Sequence, residues 1–175
     1  MVLAVHTHHD DLLGLVAPLA IASARSTALV VDLDREGLSL PGERTLADLV
    51  ADGPTLAQLV PHRSGIACLP NGGVDPEAAQ EVLAALEKGW PDLIVRTRGP
   101  IDRLPMANVV PMLAGVSAPT GPCVWVRTGL GPVDRHQGPE VCAPGRAAFA
   151  AALAGRALRG RWLQSWSGVW EWPWP

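Results

Sequence analysis

Two carboxylates separated by one residue, Asp32 and Asp34, close the run Ala28-Leu-Val-Val-Asp-Leu-Asp34 and are the first candidates for chemistry in this chain. The residues ahead of them, rich in valine and leucine, have the composition of a buried strand. In open α/β sheets ligands lie in the crevice outside the carboxyl ends of parallel strands, so the two acids stand where a nucleotide or a metal ion is normally held. A second cluster, His6-Thr-His-His-Asp-Asp11, follows the short apolar run Val2 to Val5 and combines imidazoles with carboxylates, the side chains of zinc sites. A third is aromatic: the segment Arg161 to Pro175 holds five of the seven tryptophans, Trp162, Trp166, Trp170, Trp172 and Trp174.

The elements that must position these groups alternate in type. Val2 to Val5 reads as a strand, and Leu12, Leu13, Leu15, Val16, Leu19 and Ala20 recur at helical spacing, with Pro18 set to kink that helix. Gly37 to Gly42 is a loop after the strand at 28–32. Thr45-Leu-Ala-Asp48 has the form of a capping box and opens a short helix, and a second small helix covers Leu56 to Val60. Gly65 to Pro70 is a brief strand that ends in the turn Asn71-Gly-Gly73. Asp75-Pro-Glu77 supplies an N-cap, a proline at the first helical position and an acid for a helix with Ala79, Val82, Leu83 and Leu86 as its buried stripe. Asp92 to Arg96 and Pro122 to Arg127 read as strands, Leu104 to Leu113 as weakly helical around Pro111, and Gly145 to about Gly160 as an alanine-rich helix. Strands alternating with helices predict one α/β domain, a mostly parallel sheet with helices on both faces.

Composition narrows the function. A chain of 175 residues with 48% hydrophobic and 18% charged content makes one domain with a proper core. The predicted division is an α/β domain over 1–160 and a Trp-rich tail over 161–175. A formal net charge of -3 lacks the basic footprint of a nucleic-acid binder. That charge is uneven: residues 143–175 carry Arg146, Arg156, Arg159 and Arg161 against Glu171 alone, so a basic end sits on an acidic body. Cys68, Cys123 and Cys142 are odd in number and lack Cys-x-x-Cys spacing, which argues against a disulfide framework or a structural zinc site and for a reduced, cytoplasmic protein. No apolar run of about 18 residues spans a bilayer, and Met-Val-Leu-Ala-Val lacks the basic leader of a signal peptide.

Three stretches taken together resemble the MinD/ParA family of deviant P-loop ATPases, in particular the actinobacterial pilus-assembly and septum-site proteins similar to CpaE. Leu29-Val-Val-Asp-Leu-Asp34 resembles the family's second-strand motif with its two acids. Thr45-Leu-Ala-Asp-Leu-Val50, followed by Gly65-Ile-Ala-Cys-Leu-Pro-Asn-Gly-Gly73, is similar to a family helix and strand, and Asp75-Pro-Glu to Gly89-Trp-Pro-Asp-Leu-Ile-Val95 to the segment leading into the Walker B motif. The resemblance covers roughly residues 1 to 130 and implies a P-loop-like α/β fold. It also marks two departures. The family's phosphate loop cradles phosphates with glycine amides and lysines, but the corresponding place holds His6, Thr7, His8, His9, Asp10 and Asp11, with no glycine before Gly14 and no lysine. The Walker B acid is replaced by Arg96, a cation where Mg²⁺ should be held. With Asp32 and Asp34 these residues form a vestigial nucleotide site. The resemblance implies a pseudo-ATPase without catalytic residues or cofactor, which regulates or scaffolds an active pilus-assembly, secretion or cell-division ATPase. An alternative is an ATP-binding protein with a non-standard phosphate loop. Arg96 has a physical role open to it: pairing with Asp32 or Asp34 to fill the vacated site, since buried acids are usually paired or hydrogen-bonded.

His6-Thr-His8-His-Asp10 is also similar to the His-x-His-x-Asp signature of metallo-β-lactamase-fold hydrolases, with His6, His8 and Asp10 as the candidate ligands. That family needs a further histidine where this chain has Asp11, and His62 and His136 do not stand in recognisable ligand settings, so the expectation is a solvated loop with no metal. Trp162, Trp166 and Trp170 fall at i, i+4 and i+8, which on a helix places them on one flank. Such a flank serves as cover for the domain's own core, as the contact to a protein partner or a second copy, or as a peripheral membrane contact.

Overall fold

The computed structural model describes residues 1–7, 11–61, 64–113, 119–129 and 137–175. Seven strands form one sheet: β1 (Val2–Thr7), β2 (Thr27–Asp32), β3 (Gly65–Leu69), β4 (Leu93–Arg96), β5 (Met106–Met112), β6 (Cys123–Arg127) and β7 (Glu140–Cys142), in the order β3-β2-β4-β1-β5-β6-β7. Every pairing between them is parallel. Among the described residues six helices accompany them: α1 (Asp11–Ala22), α2 (Leu46–Asp52), α3 (Leu56–Leu59), α4 (Gln80–Gly89), α5 (Arg146–Leu153) and α6 (Gly168–Glu171), the last preceded by a 3₁₀ helix over Arg161–Ser167.

Side chains alternate across a strand, so each strand feeds both faces. On one face Leu3, Val5, Val30, Ile94, Val109 and Val124 pack with α1, α5 and the C-terminal helices. On the other Leu29, Val31, Leu93 and Val95 meet Leu46 and Leu49 of α2 and Val82 and Leu86 of α4. β2 and β4 are therefore buried on both sides, which is why they read as unbroken apolar runs. α1 runs through Pro18 and keeps to the sheet because Gly14 has no side chain: a Cβ there would lie 2.6 Å from the Thr7 hydroxyl. The capping box of α2 forms as its sequence suggests. Thr45 Oγ1 accepts from the Asp48 N–H at 3.2 Å, and the Asp48 carboxylate accepts the Thr45 N–H at 2.7 Å.

Several elements differ from the sequence expectation. Leu104 to Leu113 is strand β5 and not helix. The Ala4 N–H donates to the Pro105 carbonyl, so odd-numbered residues of β5 turn their backbone groups toward β1, whose pairing ends at Thr7↔Val109. Pro111 thus lies beyond the last described β1 partner, so its missing N–H breaks none of the described ladder bonds. α4 begins at Gln80, later than the Asp75 N-cap implied: the Asp75 carboxylate pairs with Arg35, while its carbonyl accepts the Ala79 N–H at 3.2 Å. α5 stops at Leu153. The Arg156 N–H returns to Ala151 O at 2.8 Å and the Gly155 N–H to Ala152 O at 3.0 Å, with Gly155 at φ +64°, a Schellman termination that only glycine adopts without strain. β7 has one buried residue, Val141, and gave no pattern to read.

The tryptophan segment is part of the core and does not form one continuous α-helix. The 3₁₀ geometry over 161–167 breaks the i, i+4 flank, so Trp166 and Trp170 are buried while Trp162, Trp172 and Trp174 are half-buried. Each buried indole finds an acceptor. Trp166 Nε1–H donates to Cys142 O at 3.1 Å, and Trp170 Nε1–H to Ile21 O at 2.8 Å with the Arg25 guanidinium 4.5 Å above its ring. Ser165 Oγ takes the Cys142 N–H at 2.8 Å. The segment therefore closes the outer edge of β7 and seals one helical layer. Removing the most deeply buried of these indoles, Trp166→Ala, is expected to cost about 3–5 kcal/mol of stability in equilibrium urea unfolding.

Candidate functional site

β2 and β4 lie side by side in register Asp32↔Arg96, which sets an acidic and a basic side chain next to each other on the same face at the carboxyl ends of the strands. Two residues further along, the pattern repeats with Asp34 and Arg98. All three of Asp32, Asp34 and Arg96 are buried. Arg96 divides its guanidinium between the acids: one terminal nitrogen donates to Asp32 Oδ2 at 3.1 Å, the other to Asp34 Oδ2 at 2.9 Å. The first nitrogen also donates to the Leu38 carbonyl. Arg98 Nε donates to Asp34 Oδ1 at 2.6 Å and holds Asp34 from the solvent side.

The loop after β2 completes the enclosure with backbone amides. Glu36 and Gly37 N–H both donate to Asp34 Oδ1 at 3.0 Å, Asp34 N–H to Asp32 Oδ1 at 3.0 Å, and Leu40 N–H to Asp32 Oδ2 at 3.4 Å. Gly37 is required here, since a Cβ would collide with the Asp34 carboxylate and the Arg96 guanidinium. Asn71 joins β3 to the same corner: its side-chain amide donates to the Asp32 carbonyl at 3.2 Å and the Val74 carbonyl at 3.1 Å, and its oxygen accepts the Gly73 N–H at 2.7 Å. Every oxygen of both carboxylates therefore has at least one donor.

Burial pushes the Asp32 carboxyl up from its ordinary value, against the pull of Arg96 and two backbone amides. Burial opposes ionisation of Asp34 as well, but the Arg98 hydrogen bond, the Gly37 and Glu36 amides and the Arg96 charge outweigh it and hold that carboxyl low. His6 lies at the end of β1, buried, with Nδ1 2.8 Å from the Thr97 carbonyl; that contact fixes the hydrogen on Nδ1. By strand alternation His6 faces the opposite side of the sheet from Asp32 and Arg96, so the sheet separates it from the charge network. The Cys68 thiol, pushed up to about 11 by burial and the nearby Asp32 charge, is no nucleophile at neutral pH.

Of the residues singled out in the sequence, the structure brings together Asp32, Asp34 and Arg96 and realises the internal ion pair. It places His6 and Thr7 at the end of the neighbouring strand β1, with His6 on the far face. His8, His9 and Asp10 lie outside the described residues, as does the side chain of Asp11, and so do His62 and His136. Among the described residues there is no group of three or more His, Cys, Asp or Glu able to hold a metal ion. Sequence reading missed Arg98, Asn71 and Gly37. The spacing Arg96-x-Arg98 opposite Asp32-x-Asp34 on neighbouring strands was the available signal for the first; Asn71 and Gly37 act through loop geometry that no spacing announces.

Asp32, Asp34 and Arg96 do not fit a magnesium nucleotide. Mg²⁺ needs carboxylate or water oxygens around a near-octahedral shell, and here those oxygens are taken up by donors with a guanidinium between them. A scan of protein-family models and a search of curated proteins return no match to this chain.

Two tests follow from the network. Arg96→Ala leaves two buried carboxylates short of their counter-charge and should lose about 3–5 kcal/mol in denaturant unfolding. Since the Asp34 pKa is lower in the folded than in the unfolded chain, its contribution is present above about pH 4 and is lost as pH falls through the folded value. The acid limb of a stability-versus-pH curve should be shallower in Asp34→Asn than in the natural protein. Asp32, shifted the other way, works against that slope.

Proposed function

We propose that this protein is a non-catalytic pseudo-ATPase of MinD/ParA type that serves as a regulatory or scaffolding partner of an active pilus-assembly, secretion or cell-division ATPase. The observation that carries this reading is the buried Arg96 bridging Asp32 and Asp34 at the strand ends. A nucleotide-hydrolysing site places a divalent cation and a triphosphate at such a crevice, with acids turned toward the metal. In this chain the acids turn toward an internal cation, and the loop at 35–40 packs over it. The seven-stranded parallel sheet with helices on both faces agrees with a P-loop-like α/β fold, and residues 8–13, directly after β1, include neither lysine nor glycine. What remains is a rigid fold suited to binding another protein. The three free cysteines agree with a reducing, cytoplasmic setting, and no helix among the described residues is long and apolar enough to cross a membrane.

The decisive experiment is a thermal melt of metal-free protein with and without millimolar Mg-ATP. A ligand at about 100 times its dissociation constant adds about 2.7 kcal/mol to stability. The expected result is an unchanged melting temperature; a clear upward shift would overturn the pseudo-ATPase reading.

A further inference from the structure

The two edges of the sheet are finished differently. At β7 the side chains of Ser165 and Trp166 take the Cys142 N–H and carbonyl, so the edge is capped from within the chain at that residue. At the other end, β3 pairs only with β2 among the described residues. The Gly65 N–H donates to the Ser26 carbonyl, which turns residues 65, 67 and 69 toward β2 and residues 66 and 68 outward. The outer edge closes at its carboxyl end, where the Leu46 N–H takes the Pro70 carbonyl at 2.7 Å and Gly42 packs against the Cys68 carbonyl. Ahead of that point the Ile66 N–H and carbonyl and the Cys68 N–H face outward with no described group to meet them. Gly65 and Ile66 are exposed. A parallel sheet normally covers such an edge, because unpaired backbone groups invite another strand.

A groove lies on each face of this edge. On the α2–α4 side a cavity of about 620 Å³ is lined by Leu49, Leu69, Leu86 and Trp90 with Arg44 at its rim. On the α1–α5 side one of about 480 Å³ is lined by Leu19, Ile66, Leu158 and Pro41 with Arg25 and Arg156. Among the described residues neither lining contains a carboxylate; Arg44 and Arg25 are held by Asp52 and Asp92 of the chain itself, and Arg156 has no acidic partner among them. Apolar floors on both faces, the uncompensated Arg156 on the α1–α5 wall and outward donors and acceptor between them define one kind of occupant.

We propose that β3 accepts an additional strand from a partner protein, an extended segment in which apolar and acidic residues alternate. Its backbone pairs with Ile66 and Cys68 and extends the sheet to eight strands. Apolar side chains on one side of the segment enter the Leu49–Trp90 groove, and acidic ones on the other side meet Arg156. This is β-strand addition, in which main-chain bonds supply affinity and alternate pockets supply selectivity. It concerns the outer edge of β3, two strands away from β4, and stands whether or not the strand-end site binds nucleotide.

The test is an amide NMR titration of the full chain with a short peptide of alternating glutamate and valine, and with its lysine–valine counterpart. Saturable shifts at Ile66 and Cys68 are expected with the acidic peptide and absent with the basic one. Hydrogen exchange should slow at those two amides on binding, while Ala67 and Leu69, bonded to β2, stay slow throughout. Arg156→Glu should weaken the acidic peptide about fivefold to tenfold at low salt. Ile66→Pro removes an outward donor that the fold does not use and should abolish binding with the melting transition retained. Equal shifts with both peptides, or shifts with neither, would overturn the proposal. So would a concentration-dependent dimer that protects Ile66 and Cys68 without peptide, which would assign the edge to a second copy of the chain.

Discussion

A guanidinium and two carboxylates withdrawn from water must find their entire solvation within the protein, and the corner around Arg96 is built to provide it. Stripping one such ion of water costs several kcal/mol even after relaxation, so geometry decides whether the group is tolerated at all. Arg96 meets the requirement by splitting its donors between Asp32 and Asp34 and adding the Leu38 carbonyl. Each acid in turn draws amides from the loop that follows it. That loop can fold so tightly only because position 37 is glycine. The register of β2 on β4, the path of residues 35–40 and the position of Asn71 are thus consequences of one charge-balance condition. A slip of one residue in that register would turn Arg96 or Asp32 to the opposite face and leave the other buried without its partner.

A second dependency runs through the C-terminal tryptophans. α5 is short and α6 shorter, so the layer they share with α1 gains much of its apolar area from Trp166, Val169 and Trp170. Indole serves here because each ring combines a large apolar surface with one donor, and each donor is spent on a backbone carbonyl that a neighbouring element leaves open, Cys142 at the sheet edge and Ile21 at the end of α1. Chain order explains why the same device is missing at β3. The C-terminal segment follows β7 directly and can fold back on it, whereas β3 is entered and left by the short helices α3 and α4, both committed to the other face.

The alternation of strand and helix was legible because its cause is local: apolar runs of strand length between turn residues, and stripes at helical spacing. The capping box at Thr45 and Asp48 was legible for the same reason. Errors arose where tertiary context decides. Leu104 to Leu113 read as weakly helical around Pro111, yet the place of that proline past the last described β1 partner is visible only once the register is known. Asp75 had the form of an N-cap, but Arg35 from another loop claims its carboxylate. The i, i+4, i+8 tryptophans suggested an α-helix, and a 3₁₀ segment serves better because it turns Trp166 inward while leaving Trp162 to meet it edge-on, with ring centres 6.2 Å apart. At the site, the two acids and Arg96 could be named because their types are conspicuous at strand ends. Arg98, Gly37 and Asn71 contribute through a loop whose path depends on that network.

Under the proposed function, the pairing of Asp-x-Asp with Arg-x-Arg on adjacent parallel strands also links the two departures from the nucleotide-binding pattern. Two carboxylates gathered at strand ends repel one another and need positive charge close by. Where a metal ion and lysines supply it, the strand opposite can carry a further acid. Where no such cations are supplied, a third acid would leave the corner strongly negative and buried, a state the fold could escape only by protonating or opening. An arginine at that position restores neutrality from within, and a second one two residues on compensates the acid nearest solvent. In the reading proposed above, the loss of phosphate-binding residues after β1 and the arrival of Arg96 are then a single physical change: once the bound cation is given up, the acids that served it can persist in a buried corner only if the chain supplies its own.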